Sequence, residues 1–342
     1  MVSGPEFGWV FPSTGDDSWL GHALPRTTPG RQLLTKFGRT IDDLSYDFLL
    51  VTTGQRNNHF GSKAPYIDSL AAGAALSVIT RRIRLLIAVR PGLVPAPLCA
   101  RACATIDQLS EGRFMLNLVS GGRPLREFGE RLEHADRYKL GVEFINAVLG
   151  LWSGQPFCYE GCFISMDAAT CYPLPWRDRR PEIFTSGTSD EAIQLAADYA
   201  DVALIPGTVP TEAAKYVRLL KNAVAGRRRK VRIGTHFYVI ARSSEAKAKA
   251  AAERLLSRAD PAHVLPGADS SKSPMIELAR HLWDGMKRLS PRPTPMIIGS
   301  YGQVVDTIKR FSDIGLSCFI MHGYPSSTEA RRIDENVIPQ LR

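Results

Sequence analysis

The sequence predicts an α/β chain built on a parallel sheet, and three observations carry that prediction. First, the stretch from Arg81 to Gly122 contains two short apolar runs, 83–89 and 114–119, on either side of an amphipathic segment over about 98–109. Two buried strands joined by a helical crossover make a βαβ unit, whose strands are parallel. Second, this alternation recurs along the chain, with about eight strand candidates, most of them followed by helical periodicity. Third, the two strands of that unit end on polar groups and glycines: Arg90-Pro91 after the first, and Asn117 leading to Ser120-Gly121-Gly122 after the second. Such strand ends are where α/β proteins place their chemistry.

In chain order the strand candidates are 8–11, 47–52, 83–89, 114–119, 182–185, 201–205, 231–241 and 317–322. Each is a short apolar run. The intervening helices are read at about 30–45, 68–79, 97–109, 135–152, 190–200, 212–225, 245–257 and 303–314. Strands separated by helices call for a sheet covered on both faces. Eight units fit a closed barrel, and a seven-strand open sheet would give a similar string. Three stretches break the rhythm. Segment 55–66 is a polar loop after the second strand. Segment 158–180 holds a small hairpin around Glu160-Gly161 and then the Pro-rich YPLPWRDRRP. Segment 258–296 carries Pro, Gly and Ser clusters around one helical patch at about 276–286. Long insertions of this kind usually serve as lids or are mobile. No short-period repeat or low-complexity segment is evident.

Composition narrows the classes. The 342 residues, 44% of them hydrophobic, can bury a sizeable core. No apolar stretch is long enough to span a bilayer, and the N-terminus lacks the basic and apolar regions of a signal peptide. Six irregularly placed cysteines suggest reduced thiols, so a cytoplasmic protein is expected. Cys99/Cys103 and Cys158/Cys162 are each four apart, but no nearby His pair completes a zinc pattern, and no metal is expected. The net charge of +9 is compatible with nucleic acid, anionic lipid or small anionic ligands. The densest basic run, 226–230, sits between a helix and a strand as a solvated loop. No aromatic-interleaved basic surface accompanies it, so neither a nucleic-acid nor a membrane partner is expected.

Several residues can carry chemistry. Ser186-Gly187-Thr188-Ser189-Asp190 follows a strand and opens a helix, where free backbone N–H groups and hydroxyls suit a phosphate. The same residues also make an ordinary helix cap. The place, after the fifth strand, differs from the commoner barrel phosphate site near strands seven and eight. Asn117 and Ser120 lie at a strand end, either as ligand-binding groups or as turn formers. Thr52, Thr53 and Arg90 stand at the mouths of strands two and three. His236 and Tyr238 alternate on the seventh strand, so both face the same way. His322 and Tyr324 end the eighth strand. Either histidine can exchange protons near neutral pH, or be a satisfied barrel histidine. There is no G-x-G-x-x-G nicotinamide fingerprint.

IAVRP followed by CATIDQLSEGRFMLNLVSG, then HADRY, TSGTSDEAIQLAADYAD and IGLSCFIMHGYPSSTEA, resemble the bacterial-luciferase-like flavin monooxygenases. The alkanesulfonate monooxygenases and pyrimidine oxygenases are the nearest branch. The resemblance implies one (β/α)8 TIM-barrel domain over 1–342, with a lid before the last strand. It implies FMN, delivered as FMNH2 by a separate NAD(P)H:flavin reductase, with its phosphate on Ser186, Gly187, Thr188 and Ser189. Asn117 and Ser120 would contact the flavin, Arg137 and Tyr138 its ribityl or phosphate, and Thr52 and Arg90 the ring side. It also implies oxygenation or oxidative cleavage of a small polar substrate by a flavin peroxide formed with O2. His236, Tyr238, His322 and Tyr324 would be catalytic, with Thr14 and Arg292 on the substrate side. Homodimers or tetramers are expected on the same ground.

Departures from the alkanesulfonate pattern lie on the substrate side. That branch carries Arg and His where His236 and Tyr238 stand, a His at the place of Thr14, and an aromatic at the place of Pro206. Its Cys near the flavin has no counterpart in 55–68. Simple sulfonate cleavage is therefore disfavoured; an organosulfur compound, a nitrogen heterocycle or a natural-product intermediate remain as substrate classes. Two alternatives on the same fold are a deazaflavin (F420)-dependent hydride-transfer enzyme and a non-catalytic flavin-binding protein.

Overall fold

The computed structural model describes residues 4–122, 125–227, 229–269, 274–290 and 294–342. Arg292, expected on the substrate side, lies outside the described residues. From the N-terminus, strands β1 (Glu6–Val10), β2 (Phe48–Val51), β3 (Arg84–Val89) and β4 (Phe114–Leu118) pair side by side, all parallel. Between them run helices α1 (Arg31–Asp43), α2 (Ser69–Ile79) and α3 (Ala96–Leu109). After α4 (His134–Leu151) a two-stranded hairpin, β5 (Phe157–Glu160) with β6 (Ser165–Ala169), stands apart as its own sheet, turning at the predicted place. The barrel continues with β7 (Glu182–Ser186), α5 (Asp190–Tyr199), β8 (Val202–Ile205), α6 (Pro210–Val224) and the eleven-residue β9 (Arg232–Arg242).

Beyond α7 (Glu245–Leu256) come β10 (Glu277–Ala279), β11 (Leu282–Trp283), β12 (Met296–Ser300) and α8 (Tyr301–Asp313). The last barrel strand, β13 (Cys318–His322), pairs with β9 on one side and β1 on the other. Eight parallel strands thus close into a (β/α)8 TIM barrel, with further strands outside it. The barrel strands coincide with the eight sequence candidates to within two residues at either end. Local signals fix several helices: Asp68, Ser189 and Ser244 cap α2, α5 and α7, and Ser300 with Gln303 forms a capping box on α8.

Two expectations need correction. Residues 276–286, expected as a helical patch, form the antiparallel pair β10–β11 and a short 3-10 turn, Gly285–Arg288. The reason is tertiary. β9 overshoots the barrel, pairing with β13 only through Tyr238, and β12 takes up the ladder from Tyr238 to Arg242. β11 and β10 then extend that edge, and a short apolar run adopts whichever state its neighbours satisfy. The chain also ends in an unpredicted helix, α9 (Ser326–Asn336), whose buried apolar face is small. Polar contacts hold it instead. Trp9 Nε1 donates to Ser326 Oγ at 2.9 Å, and Arg242 binds both oxygens of the buried Glu329 at 2.8 and 2.9 Å.

Inside the barrel, inward side chains stack in layers drawn from alternate strands. The floor is an ion-pair ring. Arg84 bonds Glu6 at 2.9 Å and Glu182 at 3.1 Å, and Arg232 bonds the same two carboxylates from the other side. Phe48, Met115, Val202 and Cys318 lie above it, then Leu86 and Phe184. Gly8 and Gly234 complete the layer of Leu86 and Phe184 because there is no room for more: a Cβ on Gly8 would run into the Phe48 ring, and one on Gly234 would lie 2.8 Å from Leu204. Leu50, Asn117, Leu204 and Ile320 follow as the first layer above the charged floor to hold a polar member. Polarity therefore falls from the charged floor to the apolar middle and rises again toward the C-terminal ends of the strands.

Candidate active site

A cavity of about 420 Å³ opens at those C-terminal strand ends. A larger one, about 610 Å³, lies at the opposite end, around Trp176 and Arg177. Several charges there are already paired, Arg84 with Glu182 and Arg180 with Asp201. The convergent polar groups belong to the smaller cavity, at the end of a barrel where active sites sit. Val10, Leu50, Leu204 and Ile320 give it an apolar floor. Of the residues expected from the sequence, it brings together Thr14, Thr52, Asn117, Ser186, Gly187, His236, Tyr238, His322 and Tyr324.

One end of the cavity is the turn after β7. Ser186 Oγ donates to Asn117 Oδ1 at 3.3 Å, and Ser189 caps α5 by accepting the Ala192 N–H at 3.3 Å. Thr188 lies between them in the same turn. Gly187 has φ +143°, and a Cβ there would sit 2.6 Å from the Tyr138 hydroxyl and from Ala192. A Cβ on Gly121 would approach the same hydroxyl to 2.9 Å. Tyr138 is thus packed beneath two glycine turns. Ser120 Oγ and Arg137 Nε are buried without a hydrogen-bond partner.

Two of the expected cofactor residues serve as braces in this geometry. Arg90 makes a two-pronged bond to Glu130, at 2.9 and 2.7 Å, and donates to the Gly121 carbonyl at 3.0 Å. Arg137 donates to the Gly122 carbonyl at 2.7 Å and to Leu132 at 2.9 Å. Both guanidiniums hold the Gly121-Gly122 turn from behind. Neither lines the cavity.

The other end is a cluster of rings organised by a residue the sequence had not singled out, His59. Its Nδ1 lies 3.0 Å from Thr14 Oγ1 and 3.3 Å from the Tyr324 hydroxyl, and its Nε2 is hydrogen-bonded to the Tyr238 hydroxyl. Thr14 and Tyr324 also bond each other at 3.2 Å. Asn57 pins the loop that delivers His59. Its amide donates to the carbonyls of Thr14 and Pro65, at 2.8 and 2.9 Å, while its Oδ1 accepts the N–H groups of His59 and Phe60. Tyr66, from the same loop, bonds Thr52 Oγ1 at 2.7 Å. In sequence this loop has no periodicity; what marks it is a His and a Tyr in a polar insertion, HFGSKAPYIDS, whose wording resembles the corresponding loop of the pyrimidine oxygenases.

His322 stacks on Tyr238 with ring centroids 4.8 Å apart, and its Nε2 is buried without a partner. His236 reaches Thr294 Oγ1 at 3.3 Å. All three imidazoles are held neutral. Burial lowers the pKa of His59 and His236 to about 4, helped at His59 by the neighbouring His236, and lowers that of His322 well below the ordinary value. Burial also raises Tyr66 to about 12 and shifts Tyr238 and Tyr324 upward, so the phenols keep their protons. The cluster can hold and relay protons between neutral groups, but it offers no resident charge.

Comparison with known proteins agrees with the fold. Across the chain the fold is similar to that of a riboflavin lyase crystallised with modified FMN and riboflavin, with TM-score 0.79, 18% identity, and 99% of this chain and 92% of that one covered. It is also similar to the EDTA monooxygenase of Chelativorans sp. BNC1, with TM-score 0.76, 18% identity, and 99% and 93% covered. The coenzyme F420-dependent tetrahydromethanopterin reductase of Methanopyrus kandleri has the fold too, with TM-score 0.72, 15% identity, and 99% and 100% covered. Residues 6–318 match the family described as luciferase-like monooxygenases. A (β/α)8 barrel with its polar cavity at the strand ends, matched over nearly its whole length by that family, places this chain in the luciferase-like monooxygenase family.

Proposed function

We propose that the chain is the oxygenating component of a two-component, FMN-dependent monooxygenase, using reduced FMN from a separate NAD(P)H:flavin reductase to oxidise a small polar substrate. One observation carries the reading: a single cavity runs from the Ser186-Gly187 turn, past Asn117, to the His59, Tyr238 and Tyr324 cluster. The residues present fit such a flavin. The helix start and Ser189 suit its phosphate, and the glycines at 121 and 187 let a ligand approach the backbone. Ser120 Oγ and Arg137 Nε, buried and unpartnered, lie behind the same turn. Asn117 and Thr52 stand where a ring edge would be held over the apolar floor.

When bound and reduced, the flavin supplies the activation of O2 and the transfer of one oxygen atom, the other leaving as water. The chain's own residues do the rest. His59, bonded on one nitrogen to Tyr238 and on the other to Thr14 and Tyr324, takes a proton at one nitrogen while giving one from the other, so a proton that enters at the hydroxyl on one side leaves from the hydroxyl on the other and every group ends neutral. Burial of this cluster among apolar walls keeps bulk water from the reacting atoms. A cytoplasmic location and a homodimer or tetramer belong to the same reading. No helix among the described residues is long and apolar enough to cross a membrane.

The test is flavin binding followed by oxygen uptake with photoreduced FMN, against a mixed sulfone, sulfonate and pyrimidine panel. Product gaining one oxygen, or losing sulfite, supports the proposal. Absence of FMN binding, together with F420 binding and oxygen-independent hydride transfer, would replace it with the deazaflavin alternative. Absence of both cofactors would leave the non-catalytic one.

A further inference from the structure

We propose that the cavity at the N-terminal end of the barrel is a second ligand site, and that it takes a planar aromatic anion whose ring lies on Trp176 and whose acid group is held by Arg177 and Arg179. It lies at the end of the barrel opposite the flavin cavity, so it stands whether or not the monooxygenase reading does.

This cavity of about 610 Å³ is lined by Trp176, Arg177 and Arg179, with Phe114, Met115 and Pro181 as its apolar wall. Its size suits a small molecule. Trp176 is held in place from two directions. Its backbone N–H donates to the Asp107 carboxylate at 2.8 Å, and its ring packs on the turn at Gly112, where a Cβ would come within 2.8 Å of the indole. A half-buried indole on a fixed backbone presents a flat surface for another ring at little cost in ordering.

Most charges in the cavity are engaged. Arg84 and Glu182 belong to the ring at the barrel floor, Arg180 bonds Asp201 at 2.7 Å, and Asp107 accepts the N–H groups of Trp176 and Phe114. Glu111 acts on its neighbour Arg113. Two exposed guanidiniums remain. Among the described residues Arg179 has no hydrogen-bond or ion-pair partner, and Arg177 has only the Trp176 ring, whose centroid is 5.8 Å from its guanidinium carbon. Asp178, between them, does not line the cavity.

The backbone sets these arginines apart from ordinary surface residues. Arg177 and Asp178 both lie in the left-handed region, at φ +54° and +53°. Two successive residues other than glycine in that region are unfavourable, and they persist only where their surroundings impose them. Here the Asp178 N–H bonds the Pro175 carbonyl at 3.0 Å and the Arg179 N–H bonds that of Trp176 at 3.3 Å. The tight turn brings the side chains on either side of Asp178 to one cavity. Guanidiniums grip carboxylates and phosphates through forked hydrogen bonds, and rings stack on indoles. Ring and cations stand within four residues, so one small molecule must carry both complements.

The test uses the full chain with one equivalent of oxidised FMN and four probes. AMP and 2-naphthoate carry ring and charge, adenosine the ring alone, and ribose 5-phosphate the charge alone. Binding is read by calorimetry and saturation-transfer NMR. AMP or 2-naphthoate should bind with Kd below about 1 mM, and adenosine and ribose 5-phosphate about ten-fold more weakly than AMP. The tighter of the first two names the source, a nucleotide or an aromatic acid. Trp176→Leu should weaken both aromatic anions about ten-fold and leave ribose 5-phosphate unchanged, and Trp176→Phe should restore most of the loss. The Arg177→Gln, Arg179→Gln double variant should weaken both about ten-fold and leave adenosine unchanged. Those two side chains are exposed and unpaired, so the urea midpoint should not move. Absence of binding by either aromatic anion overturns the inference, and so does binding that survives the Trp176→Leu and double-arginine variants, or adenosine or ribose 5-phosphate that matches AMP. Loss of FMN binding alone would count against the monooxygenase reading and not against this site.

Discussion

Replacing His59 by Phe isolates the hydrogen-bond cluster with little change in shape. The ring loses its bonds to Thr14, Tyr324 and Tyr238, but these losses are unequal. Thr14 and Tyr324 keep each other at 3.2 Å, whereas the buried Tyr238 hydroxyl loses the imidazole that satisfies it. One orphaned hydroxyl costs about 1–3 kcal/mol. Tyr238→Phe alone strands the imidazole Nε2 and costs about the same. The double variant strands neither, so its cost should fall short of the sum by both penalties, about 2–6 kcal/mol. Urea unfolding at pH 7.5, where the histidines are neutral in both states, gives the four midpoints at constant slope. If the two changes add to within about 0.5 kcal/mol, the bond does not exist and His59 does not organise the cluster.

Three further outcomes are expected. Gly187→Ala puts a Cβ 2.6 Å from the Tyr138 hydroxyl at φ +143°, so FMN affinity should drop by about ten-fold and stability by about 1–2 kcal/mol, read by flavin fluorescence and urea. Gly8→Ala drives a methyl into the Phe48 ring in the barrel interior and should cost about 1–3 kcal/mol, most of it recovered when Phe48 is also made Leu. The third concerns pH. Between pH 6.5 and 4 the unfolded chain binds protons at His59, His236 and His322 that the folded chain refuses, so their stabilisation is full above pH 6.5 and is lost as pH falls. Asp16 opposes this: burial raises its pKa to about 6, so its contribution is present at low pH and is lost as pH rises through 6. Three groups outweigh one, so stability should fall on acidification through this window. His236→Phe should make the fall shallower; an unchanged slope would mean the ring is protonated in the fold.

The sequence carried the order of strands and helices, and its resemblance to a known family chose the barrel over an open sheet. Apolar runs, helical period and cap residues are local, and each is set by contacts within about one turn or one strand. The phosphate-like turn was legible for the same reason, since Ser186 to Asp190 contains the strand end, the glycine and the helix cap in five consecutive residues. The alternation of His236 and Tyr238 on one strand likewise placed both on the cavity wall.

Three things only the tertiary structure decided. Residues 276–286 became strands because β9 leaves an edge beyond the barrel that another strand can pair, a fact with no local signature. Arg90 and Arg137 became braces because Glu130 and two loop carbonyls fold back onto them. Most of all, His59 became the centre of the site. Its partners lie 45, 179 and 265 residues away along the chain, and barrel closure is what brings their strand ends together. A histidine in a polar loop has no period and no neighbours that mark its role. Its chemistry exists only once four separate segments meet around it and exclude water, which is a property of the closed barrel and of no single stretch of sequence.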